Sequence, residues 1–174
     1  MANKFDKSCH MGEAEDEIQI TEFELQLWRV FSGFVIWQED CERYVCNDTL
    51  SASEIALLHV IRMNDRPKTI YELGRLLNRD DPNNIQYSLS KLIKFGFIEK
   101  DKPMAAQKTL SYKITEAGMN NTDAFTEARK SILFDLFKNI GIGELGLEKI
   151  TNALIKINGI YGEASRLAAS YKKK

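Results

Sequence analysis

The sequence predicts a mainly α-helical fold with one small β-hairpin near its middle, and three observations carry that expectation. Apolar residues recur at steps of three and four through most of the chain, the repeat of a helix face. Three stretches have capping-box form, Thr21 with Glu24, Ser51 with Glu54 and Thr69 with Glu72. Only "FIEK" and "LSYKIT" alternate as short antiparallel strands do. At 174 residues and 44% hydrophobic content the chain suits one ordinary domain, or one with flanking elements, around a real core.

Residues 1–17 are polar, acidic and aperiodic, and are expected to be a flexible leader. A first helix, within a segment 18–46, is expected from Thr21 to about Tyr44 on Phe23, Leu27, Val30, Phe31, Phe34, Trp37, Cys41 and Tyr44. Trp28, Val35 and Ile36 lie off that stripe, so this helix should meet more than one neighbour. Segment 47–114 then holds three short helices and the hairpin. The first, capped by Ser51, should bury Ile55, Leu58 and Ile61 and stop at "NDRP"; the second, capped by Thr69, should bury Ile70, Leu73 and Leu76 or Leu77. The third, 82–95, opens on Pro82 beside Asp80 and Asp81 and stops at Gly96. Three short helices in succession make a helix-turn-helix unit, and the hairpin after them, with the polar loop "DKPMAAQKT", makes its wing. In segment 115–174, Thr115 can cap a helix to about Phe137. A last helix runs from about Glu144 to Tyr171, with Ile150, Leu154, Ile157, Tyr161, Ala164, Ala168 and Tyr171 in a heptad seam that needs a partner helix.

Net charge is −1, but its distribution is uneven. Residues 1–59 carry 4 Lys/Arg and 12 Asp/Glu, whereas residues 60–113 carry 11 and 6, so positive charge gathers in the helix-turn-helix segment. No run approaches the length of an apolar membrane span, and the first residues lack the apolar centre of a secretory signal, so a cytoplasmic protein without membrane contact is expected.

At about 100° per residue, setting Ile85 inward brings Leu89 and Leu92 to the same side of the third helix. The opposite side presents Asn83, Tyr87, Ser90 and Lys94, flanked by Asn84, Gln86 and Lys91. All can donate hydrogen bonds; Asn and Gln can engage adenine in a bidentate way, and the lysines and Tyr87 suit phosphates. A polar outer face is ordinary for a surface helix. Unusual here is the absence of Asp and Glu between Asn83 and Lys94, in a chain with 25 acids. At the helix start, Asp80 or Asp81 is expected to cap the first N–H groups, with Arg79 offsetting their charge. That leaves the side face, not the helix end, for nucleic acid. Arg62, Arg66, Lys68, Arg75 and Arg79 are candidate backbone contacts, each more commonly a plain solvated charge.

The order of elements, with "LSASEIALLHVI", "TIYELGRLLN", "LSKLIKFGFIEK" and "YKITEAG", resembles the MarR family of winged-helix transcription regulators over roughly residues 21–171. The most specific pieces are Leu92, Gly96, Phe97 and Ile98 at the end of the third helix, and Ile114, Thr115 and Gly118 at the start of the next. The resemblance implies a winged helix-turn-helix domain flanked by long dimerisation helices, acting as a homodimer on double-stranded DNA at a pseudo-palindrome. It also implies a small, often aromatic effector near Trp28, Phe31, Trp37 and Tyr44, although aromatics at helical spacing more often form core. The wing departs from the family, whose members commonly carry an arginine there. It has only Lys102 and Lys108, which fit phosphates better than a narrow minor groove.

Cys41 and Cys46 could make a redox pair, but "CERYVC" lacks the clustered positive charge that activates a thiol, and idle cysteine is the plainer reading. His59 on a core-facing helix and His10 beside Cys9 make no metal site, and no cofactor is expected. No phosphate loop, nucleophile elbow or paired-histidine motif points to an enzyme. Two readings remain: a sequence-specific DNA-binding regulator, and a winged-helix interaction module that does not use DNA, favoured by the acidic first third and the arginine-poor wing.

Overall fold

The computed structural model describes residues 10–46, 49–101, 109–139 and 146–171. The chain divides into two compact units, 1–128 and 129–174. Helix α1 (Glu15–Val45) begins six residues before Thr21 and so takes in the end of the expected leader, of which residues 1–9 lie outside the described ones. Its cap is not Thr21, whose hydroxyl donates to the Glu17 carbonyl inside the helix at 2.9 Å. The Glu17 carboxylate instead reaches back to accept from the N–H groups of Glu13 (2.9 Å) and Ala14 (3.1 Å). Glu15, Asp16 and Glu17 together meet the positive end of the helix dipole.

The other helix starts follow the sequence closely. In α2 (Ala52–Arg62) the Glu54 carboxylate accepts the Ser51 N–H at 2.8 Å, and Ile55, Leu57, Leu58 and Ile61 are buried. In α3 (Ile70–Leu76) Thr69 Oγ1 accepts the Glu72 N–H at 3.3 Å. Leu73 is buried and Leu77, not the exposed Leu76, packs on the core. Between α2 and α3 the chain turns through Asn64 and Asp65, both at positive φ. The Lys68 ammonium fills the inside of that turn, donating to the carbonyls of Ile61 (2.9 Å), Met63 and Arg66 (3.1 Å). Lys68 is 0% exposed, and its burial, then the neighbouring Arg66 charge, pull its pKa below the ordinary lysine value.

Two helix ends use the same device. Helix α3 closes with Asn78 at φ 52°, the Asn78 N–H donating to Arg75 O (3.3 Å) and the Arg79 N–H to Gly74 O (2.7 Å). Helix α4 (Pro82–Lys94) closes with Gly96 at φ 76°, the Gly96 N–H donating to Ile93 O (2.9 Å) and the Phe97 N–H to Leu92 O (3.0 Å). Each is a Schellman motif with a left-handed residue after the cap.

Strands β2 (Ile98–Asp101) and β3 (Ser111–Ile114) form the expected hairpin, paired Ile98 to Ile114 and Asp101 to Ser111. A strand not expected from the sequence, β1 (Lys68–Thr69), pairs antiparallel with the far side of β3, giving the order β1-β3-β2. Helix α5 (Glu116–Asn139) starts where Thr115 Oγ1 accepts the Gly118 N–H at 3.1 Å.

The core of the first unit is built from Leu57, Leu58, Leu73, Ile85, Leu89, Leu92, Ile98 and Tyr112, joined by Cys41 of α1 and Phe125 of α5. The buried Glu42 carboxylate accepts from Asn121 Nδ2 at 2.8 Å, and the His59 ring meets Phe125 edge-on at 4.7 Å. Beyond Cys41 the face of α1 is open: Trp28, Val30, Phe31, Phe34 and Ile36 are all exposed. In the second unit, helix α6 (Leu147–Ser170) has no buried residue, and Ile150, Leu154, Tyr161 and Leu167 are exposed. The family-like winged helix-turn-helix is thus present with long helices on either side of it in sequence.

Two substitutions probe these joints. Lys68→Met should leave the turn's carbonyls without their donor and lower unfolding free energy by about 2–4 kcal/mol, read as a lower urea midpoint. Gly118→Ala would place a methyl carbon 2.1 Å from the Phe97 carbonyl oxygen and should lower the melting temperature more than Ala at the open Gly33 or Gly159.

Candidate nucleic-acid interface

Helix α4 is held from inside by Ile85, Leu89 and Leu92, all buried, with Ser88 buried beside them. Its start differs from the expected cap. Asp81 occupies the N-cap position, but its carboxylate turns back to Arg79 in a fork, Nε to Oδ1 at 2.9 Å and Nη2 to Oδ2 at 2.8 Å. Arg79 also donates to Ser53 Oγ of α2. The N–H groups of Asn84 and Ile85 go to the Asp81 carbonyl, each at 3.1 Å. The Arg79 guanidinium, helped by the Asn84 side chain, brings the Asp81 pKa down to about 2. The acid at the helix entrance is therefore neutralised by its neighbour, as the position of Arg79 suggested, and Asp81 orients Arg79 instead of capping through its side chain.

On the outer face Asn83, Asn84, Gln86, Tyr87, Ser90 and Lys94 are exposed, Tyr87 at 72%. Among the described residues Asn83, Tyr87 and Lys94 spend no side-chain polar group on the fold. Three neighbours are partly committed: Asn84 to Asp81, Ser90 Oγ donating to the Gln86 carbonyl at 2.8 Å, and Gln86 Oε1 accepting from the Tyr112 hydroxyl at 3.2 Å. Lys91 has partners that the sequence did not suggest. Its ammonium donates to the buried Glu54 carboxylate at 2.8 Å and to the Thr49 carbonyl at 3.2 Å, so it ties α4 to α2 and has one N–H left for any outside contact. Tyr87, Ser90, Lys91, Lys94 and Phe95 line a shallow open groove along this face.

The wing residues Lys102 and Lys108 lie outside the described residues. At the base of the wing, Lys113 is held by Glu99 (3.1 Å) and Asp101 (3.7 Å). Of the five candidate backbone contacts, Arg62 is paired with Asp123 at 2.7 Å, Arg66 with Glu72 and Arg79 with Asp81, while Lys68 is buried. Arg75 stands exposed on α3 near Tyr71, which is 77% exposed. Tyr71 escaped the sequence reading, yet its place off the Ile70, Leu73 and Leu77 stripe was the available signal.

The aromatic group expected around an effector does not converge within one chain. Trp28, Phe31 and Tyr44 are 60, 67 and 76% exposed along α1, while Trp37 packs on the core. Cys41 is buried, and burial, then the Glu42 charge, push its pKa up, the opposite of an activated thiol. Among the described residues no group of three or more His, Cys, Asp or Glu could hold a metal, and no helix is long and apolar enough to cross a membrane.

Residues 50–118 match a family model described as a winged helix DNA-binding domain. No curated protein sequence matches the chain. Solved structures with the same fold include a MarR family regulator from Neisseria meningitidis, at 15% identity and TM-score 0.64, covering 88% of this chain and 99% of that one. FabT of Streptococcus pneumoniae in complex with DNA aligns at 16% identity and TM-score 0.64, over 79% of this chain and 99% of that one. Reduced AbfR bound to DNA aligns at 19% identity and TM-score 0.61, over 83% and 99%. Residues 50–118 thus match the winged helix DNA-binding domain, and the chain has the fold of the MarR-family transcription regulators, as its motifs implied.

Because the Asp81 pKa is depressed from 3.8 to about 2, the stabilisation from its pair with Arg79 is complete above about pH 4 and is lost as pH falls towards 2. Carboxyl NMR should give Asp81 a midpoint near 2 in the native chain and a clearly higher one in Arg79→Ala. An unchanged midpoint would show that the fork does not form.

Proposed function

We propose that this protein, a winged helix DNA-binding chain with the MarR fold, is a sequence-specific transcription regulator that represses by occupying a pseudo-palindromic operator as a homodimer in the cytoplasm. The observation that carries the reading is the outer face of α4: Asn83, Tyr87 and Lys94 are exposed and uncommitted, without a carboxylate on the helix, on an element anchored by three buried side chains. Hydrogen-bond donors on a rigid helix suit base edges and phosphates of the major groove. That FabT and AbfR with this fold were solved on DNA supports it. Arg75 and Tyr71 on α3 are assigned to the phosphate backbone beside that groove, the usual place of the first helix of the pair.

Dimerisation follows from apolar surface. The exposed rings of Trp28, Phe31 and Phe34 on α1, and the seam through Ile150, Leu154 and Tyr161 on α6, are in each case more than a lone chain leaves to water. A second copy covering them would set two α4 helices for successive major-groove sites, about 34–36 Å apart. The aromatic residues of α1 are assigned to this interface before any effector.

Labelled DNA from upstream of the protein's own gene, titrated at two salt concentrations, tests the reading against an interaction module. Steep weakening with salt and preference over random sequence are expected; weak binding indifferent to sequence would favour the module. The triple variant Asn83→Ala, Tyr87→Ala, Lys94→Ala should lose about 100-fold in specific affinity or more, and Lys94→Ala alone should reduce the salt slope by about one. Sedimentation equilibrium should return twice the chain mass, and a strict monomer would remove the operator geometry.

A further inference from the structure

Gln86 is the residue of the α4 face whose hydrogen-bonding character the fold has fixed. Tyr112 of β3 is 1% exposed, and its hydroxyl proton reaches Gln86 Oε1 at 3.2 Å. A buried hydroxyl must find an acceptor, since leaving the proton unmade costs far more than the bond itself contributes. The Gln86 amide meets that need with its oxygen, which leaves the NH2 group as the part of the side chain with no partner in the fold.

We propose that Tyr112, by holding the Gln86 oxygen, makes Gln86 read as a donor and select guanine over adenine at the base pair it meets. This rests on the DNA-reading function of α4 proposed above. Bidentate recognition of adenine needs the glutamine fork face-on, its oxygen accepting from N6–H while its nitrogen donates to N7. With its oxygen already held by Tyr112, the amide is not free to swing for the face-on contact, and the group it has left without a partner in the fold is the NH2. Guanine presents two acceptors in the major groove, O6 and N7, and takes such a donor without needing anything in return. Adenine presents one acceptor beside an amino group, which would face the glutamine N–H groups donor to donor. Tyr112 acts through Gln86 and is a positioning residue. Its own ring is core, packed with Leu89, Leu92 and Ile98 in the same cluster.

The inference is tested by selecting DNA sites from a random library with the full-length protein and with three variants, Gln86→Ala, Gln86→Glu and Tyr112→Phe. Gln86→Ala should flatten preference at one base pair of each half-site, which identifies the position read. There the native protein should favour guanine over adenine by about fivefold or more. Tyr112→Phe keeps the buried ring, frees the amide to rotate and should bring adenine to at least parity with guanine at that position alone. Gln86→Glu still accepts from Tyr112 but has no outward donor, so it should lose the guanine preference; it decides the matter if Tyr112→Phe fails to hold its melting temperature. Adenine preference in the native protein, a guanine preference that survives Gln86→Glu or a folded Tyr112→Phe, or no position altered by Gln86→Ala would each overturn the inference and leave DNA recognition by α4 standing. Failure of the native protein to enrich any sequence would instead remove the DNA reading on which the inference depends.

Discussion

The carbonyls of Gly96 and Phe97 hold the winged domain together. The end of α4 presents both, and Thr115 takes both, its hydroxyl donating to Gly96 O at 2.6 Å and its N–H to Phe97 O at 3.0 Å. The same hydroxyl accepts the Gly118 N–H that starts α5. One threonine therefore joins the last turn of α4, the first residue pairs of the wing and the first turn of the long helix that follows. Gly118 lies so close to Phe97 O that no side chain fits. The two motifs that gave the chain its family likeness, Leu92-Gly96-Phe97-Ile98 and Ile114-Thr115-Gly118, are the two halves of this joint.

A second layer of constraint is electrostatic. Lys91 with Glu54, Arg79 with Asp81 and Ser53, and Arg62 with Asp123 and Thr122 each connect different elements of the first unit or fix a turn between them. Much of the positive charge that made residues 60–113 look basic is thus used inside the protein. Excess charge in a segment sets an upper bound on what a polyanion can meet; the pairing decides what remains, and among the described residues of this segment Arg75, Lys94 and Lys100 are the exposed ones outside such pairs.

Legibility in the sequence followed the range of the interaction. Local devices could be read directly: Ser51 with Glu54, Thr69 with Glu72, Thr115 and Gly96 act within a few residues of themselves. Where two local devices competed, the reading failed. Thr21 and Glu24 match the capping pattern, but Glu17, nearer the start and equally able to reach back, extends the helix past them. Long-range partners were illegible. Lys91 faces Glu54 across 37 positions, and Lys68 reads as a surface lysine until the turn closes around it. Strand β1 was missed because two residues carry no alternation; only its partner β3 makes it a strand. The outward side of α4 was read correctly as exposed, since helical angle alone determines it, whereas the committed states of Gln86 and Asn84 depend on Tyr112 and Asp81.

Lys68 has one more consequence. Turns that gather several carbonyls around a point often recruit a dissolved cation from the medium. Here the cation is tethered by its own side chain, and its occupancy does not depend on ion concentration. The geometry between α2 and α3 is therefore independent of chelators and of the ionic composition of the cell. What salt can still screen in the scaffold is its partly exposed ion pairs, Lys91 with Glu54 and Arg79 with Asp81, and not this turn.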